Sequence, residues 1–84
     1  MTHYCKTSKF KPENVLAEAI KFFSSDGVGL QLREKSKDND GYCASLKSEG
    51  RHIFIKICER ENNSEIEVES CDCDLHVNHF LEKI

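Results

Sequence analysis

The chain has 84 residues, 38% hydrophobic and 32% charged, with a formal net charge of −3, which describes one small soluble domain with a dense charged surface. A chain this short buries only about 60–65% of the surface its unfolded form exposes, so its core is small and its stability modest. The acidic balance argues against non-specific nucleic-acid binding, which needs a basic face, and no stretch approaches the roughly 20 apolar residues of a membrane span.

Tyr4–Ser8 reads either as a short extra N-terminal strand or, with the rest of residues 1–10, as a flexible arm. Residues 12–24 are predicted to form a helix. Val15, Leu16, Ala19, Ile20 and Phe23 make one apolar stripe, with Phe22 at its edge. Pro12 suits the first helical position and Glu13 the positive end of the helix dipole. Ser24-Ser25-Asp26-Gly27 ends the helix, with Gly27 available as a left-handed cap.

Four strands follow, each alternating with period two. The inward sets are Val28, Leu30 and Leu32; Tyr42, Ala44 and Leu46; Ile53, Ile55 and Ile57; and Ile66 and Val68. Between them lie Asp38-Asn39-Asp40-Gly41, Ser48-Glu49-Gly50 and Glu61-Asn62-Asn63-Ser64, all rich in turn-forming residues. A two-residue turn at Glu49-Gly50 sets Leu46 against Ile53, Ala44 against Ile55 and Tyr42 against Ile57. A second one at Asn62-Asn63 sets Ile57 against Val68 and Glu59 against Ile66. It also pairs Lys56 with Glu69 and Arg60 with Glu65 on the opposite surface.

The last helix is predicted from about Asp74 to Ile84, with Cys73, Val77, Phe80, Leu81 and Ile84 on one stripe and Asp72 or Asp74 as its N-cap. The expected fold class is α+β: a four-stranded antiparallel meander in the order α-β-β-β-β-α, with two helices packed on one face. With the leading strand added, the element order resembles that of the TATA-binding-protein repeat. The resemblance lies in element order, and no function follows from it.

Two constellations stand out. Cys71, Cys73, His76 and His79 fall within nine residues and carry the thiolate and imidazole donors that zinc and iron prefer. His76 and His79 share a helical face, and Cys71 and Cys73 share a side if they lie in a strand. Against a metal site, Cys73 also completes the core stripe of the last helix. A redox role for Cys71 and Cys73 is opposed by Asp72 and Asp74, whose charges disfavour a thiolate. The second constellation is the outer face of the sheet, where Phe54 interrupts a polar surface beside Ser45, His52, Lys56 and, by extension of the ladder, Cys71. An apolar centre with a charged rim is the pattern of a partner or dimer surface.

No phosphate-binding glycine loop or nucleophile motif is present, and Glu65, Glu67 and Glu69 read as a solvated edge. The segment Met1–Lys6 lacks the apolar core of a signal peptide, so the expected location is cytoplasmic and the five cysteines read as reduced thiols. The glycosylation pattern at Asn62 then carries no meaning. The reading is a small non-enzymatic protein-binding domain without a cofactor, homodimeric through its open sheet face, with Phe54, His52, Ser45 and Lys56 as the binding surface. Nucleic acid and membrane are not expected partners. The alternative is a zinc-, iron- or thiol-dependent protein using Cys71, Cys73, His76 and His79.

Overall fold

A computed structural model describes residues 2–25 and 27–84; Met1 and Asp26, on which the leader and helix-stop readings partly fall, lie outside them. The element order is β1 (Thr2–Ser8), α1 (Pro12–Phe23), β2 (Gln31–Lys37), β3 (Gly41–Ser48), β4 (Arg51–Glu59), β5 (Ser64–Cys71) and α2 (Asp74–Lys83). The fold is α+β, as expected, and the N-terminal segment is a true strand. All five strands form one antiparallel sheet in the order β1-β5-β4-β3-β2.

Both helices lie on one face. The core between them and the sheet holds Val15, Leu16, Ala19 and Phe23 of α1, Ile53, Ile55 and Ile57 of β4, and Val77 and Phe80 of α2. Phe22, Phe23 and Phe80 meet where the helices touch, with ring centroids 5.1–5.9 Å apart. β1 is also tied to α2. The Thr2 hydroxyl donates to Asp74 Oδ2 at 3.3 Å, and the Lys6 ammonium donates to the Leu81 carbonyl near the negative end of the helix.

The β3–β4 register is the predicted one: Tyr42↔Ile57, Ala44↔Ile55 and Leu46↔Ile53, closed by Glu49-Gly50. The β2–β3 turn is also where the sequence puts it. There Asp38 Oδ1 accepts the backbone N–H groups of Asp40 at 2.9 Å and Gly41 at 3.0 Å.

Three expectations need correction. The β4–β5 ladder is displaced by two residues, pairing Ile57 with Ile66, Ile55 with Val68 and Lys56 with Glu67. Its connection is a four-residue loop, closed by the Arg60 N–H on the Asn63 carbonyl at 2.9 Å, rather than a two-residue turn. A shift of two keeps every side chain on its face, so the core is unaffected.

The second correction concerns β2. Val28 and Leu30 are buried but precede the strand, while Leu32 is 39% exposed. Gly29 takes a left-handed φ of 76°, and its N–H bonds to the Ser25 carbonyl at 2.7 Å, so extended pairing begins only at Gln31. A bulge between Leu32 and Glu34 then bends this edge strand, and α1 packs mainly on β3 and β4.

The third concerns the cap. Cys73 is the N-cap of α2, and no side chain caps it; Asp72 instead takes a left-handed φ of 60°.

Candidate functional site

The helices leave the other sheet face open. Cross-strand pairing lays its side chains out in rows. One row runs His3–Glu69–Phe54–Ser45–Glu34. The next runs Cys5–Glu67–Lys56–Cys43–Ser36, and on the other side Cys71–His52–Lys47–Gln31. Phe54 is at the middle of the central row and is 37% exposed.

The predicted surface residues come together. Ser45 is the ladder partner of Phe54, and its hydroxyl lies 2.9 Å from His52 Nε2. Lys56 follows Phe54 by two residues on the same side of β4. Cys71 does not stand beside Phe54; the shifted register gives that place to Glu69 and sets Cys71 opposite His52. A hollow of about 200 Å³ lies beside Phe54, lined by Glu34, Ser36, Cys43 and Ala44 among others. A second, open depression lies over Arg33, Lys47 and His52.

Charge divides the face. Glu65, Glu67 and Glu69 occupy β5 on one side of Phe54. Lys56, Lys47 and Arg33 lie on or beyond the strand of Phe54, with Glu34 the exception among them. Burial, with the Asp38 carboxylate adding, raises the Cys43 thiol pKa above 9.0 against the opposing pull of Lys56.

The Cys71–His79 segment is divided by the fold. Cys71 is half-buried on the open face, Cys73 is buried in the core, His76 is half-buried on α2 and His79 is exposed. The left-handed turn at Asp72 sends the two thiols to different surroundings. Burial raises the Cys73 thiol pKa above 9.0, the reverse of what a reactive thiol needs.

Among the described residues, the His/Cys/acid group whose donor atoms all lie within 4.8 Å of one another is His3, Cys5 and Glu67, and the Cys71–His79 quartet forms no such group. The sequence reading missed His3 and Cys5. Their i, i+2 spacing was the available signal, but their strand had no assigned neighbour. Comparison with protein-family models, curated proteins and solved structures finds no match to this chain.

Proposed function

We propose that the chain is a non-enzymatic binding module that self-associates through its open sheet face, with Phe54 as the anchor and Ser45, His52 and Lys56 around it. The observation that carries this reading is the half-exposed Phe54 at the centre of a face with three glutamates on β5 to one side and, apart from Glu34, basic side chains on β4 and beyond. A two-fold axis along β4 at Phe54 sets the Glu65-Glu67-Glu69 stripe of β5 in one copy against β3, which carries Lys47, in the other. An isologous interface requires that kind of self-complementarity. The hollow beside Phe54 provides a place for the partner's ring. Aromatic anchors seated in such hollows contribute disproportionately to binding.

Sedimentation equilibrium over a wide concentration range tests this. The wild-type chain is expected to reach twice its monomer mass, and Phe54→Ala to remain a monomer while keeping its circular dichroism spectrum. A wild type that stays monomeric throughout, or a Phe54→Ala variant that dimerises equally well, overturns the reading.

A further inference from the structure

The geometry points to a divalent transition-metal site of the zinc class at the β1–β5 edge of the sheet, with His3, Cys5 and Glu67 as its ligands. His3 and Cys5 project from the same side of β1 because they are two residues apart in a strand. Glu67 is the direct ladder partner of Cys5, and Glu69 is that of His3. Glu67 is therefore the diagonal neighbour of His3, and the backbone ladder alone brings the three side chains together. Their donor atoms already lie within 4.8 Å of one another. Around a tetrahedral zinc, the bond lengths of such donors place them about 3.3–3.6 Å apart. The remaining convergence is small. It falls on exposed or half-exposed side chains, which can change rotamer without moving the core.

The donor set selects the ion. Calcium and magnesium take oxygen ligands and make no use of a thiolate. One thiolate, one imidazole and one carboxylate suit zinc and its neighbours. Across the ladder Lys56 faces Glu67, yet the ion pair within 4.0 Å among the described residues is Arg60–Glu65. The Glu67 carboxylate is therefore available in the unassociated chain. Glu65 and Glu69 flank it on the same side of β5 and favour a cation there. Glu69, opposite His3, is placed to orient the imidazole. On binding, the Cys5 thiol gives its proton to buffer, and a metal–sulfur bond replaces a metal–water bond; no electron is transferred. Three protein ligands leave one coordination position for water or an outside donor. Because β1 and β5 both contribute, the ion staples the sheet's edge strand in place, and its binding energy adds to folding stability.

Titrating the reduced, metal-free chain with zinc and with cobalt tests the site. One equivalent is expected to bind, and cobalt is expected to produce a thiolate-to-metal charge-transfer band. Zinc at a hundredfold excess over Kd should raise the thermal midpoint by about 10 °C or more. Cys5→Ser should abolish the band, and His3→Ala and Glu67→Gln should each weaken binding at least about tenfold. Cys71→Ser should bind as the wild type does, and the monomeric Phe54→Ala at least as tightly, because Glu67 also belongs to the acidic stripe that the self-association surface would cover. A folded Cys5→Ser chain with unchanged affinity, a wild type that takes up no metal, or loss of binding in Cys71→Ser overturns the assignment.

Discussion

Ser64 and Ser70 both lie on the core face of β5, at 0% and 1% exposure, but only Ser64 has a hydrogen-bond partner for its hydroxyl. The Ser64 hydroxyl donates to the Phe10 carbonyl at 2.6 Å, and the Phe10 N–H bonds to Ser8 Oγ at 3.1 Å. Ser8 and Ser64 are themselves the last pair of the β1–β5 ladder, so this small polar knot secures the connection from β1 into α1. Ser64→Ala is expected to cost about 1–2 kcal/mol by orphaning a carbonyl. Ser70→Ala removes an unsatisfied buried hydroxyl and is expected to be neutral or to stabilise by up to about 1 kcal/mol. Urea denaturation of both variants beside the wild type checks the opposite signs.

Two glycines separate a steric constraint from a backbone one. A Cβ on Gly41 would sit only 1.8 Å from the Ile57 carbonyl oxygen, so the β3–β4 ladder must open to admit it. Gly41→Ala is expected to cost about 3 kcal/mol or more, or to leave the chain insoluble. Gly50 has open space around it but a φ of 68°, and Gly50→Ala is expected to cost about 1–2 kcal/mol. Chemical denaturation of the two variants reads the difference directly.

Burial holds the Cys73 thiol pKa above 9.0, with Asp72 and Cys71 adding and Arg51 and the backbone hydrogen bond at His52 opposing. Cys43 is shifted the same way. As pH rises the unfolded chain loses these protons first, so the folded state binds more protons above the unfolded value. The stabilisation is therefore complete below pH 9 and falls as pH climbs towards the folded pKa. The urea midpoint of the reduced chain should decline as pH rises above the ordinary thiol range, and more shallowly in Cys73→Ala. An equal slope in the two proteins would assign the decline to other groups.

Self-association driven by opposed acidic and basic stripes must respond to salt. Raising the sodium chloride from low to several-fold physiological concentration is expected to weaken dimerisation by about three- to tenfold, and Lys56→Glu to weaken it at every salt concentration. Sedimentation velocity checks both. A salt-independent dimer would leave Phe54 burial alone as the source of affinity.

The sequence made the β3–β4 hairpin legible because the alternation of Leu46 and Ile53 and the glycine of a tight turn select one register. The β4–β5 hairpin was misread for a physical reason. Alternation reports parity only, and a shift of two residues preserves it. Charge matching favoured the wrong choice: Arg60 does bond Glu65 at 3.2 Å, but from the loop rather than from the ladder. Leu32 was misplaced because a left-handed residue and an edge bulge are invisible to period counting. The Phe54–Ser45–His52 grouping was readable, since it depends only on the hairpin that was read correctly. The approach of His3 and Cys5 to Glu67 was not, because a strand's sequence carries no record of which edge it joins. The Cys71–His79 cluster misled because closeness along the chain does not survive the passage from strand to helix: Cys71 ends β5, Cys73 is buried as the N-cap of α2, and the histidines lie along the helix.

The place of β1 has a consequence for how the chain assembles. Its seven residues pair only with β5, Thr2 with Ser70 and Ser8 with Ser64, so the first strand to be made has no ladder to join until most of the chain is in place. Strands β2 to β5 form a run of local hairpins that can zip in sequence, whereas β1 must close the longest loop in the molecule. β1 should therefore be the last strand to dock and the first to exchange its amide hydrogens.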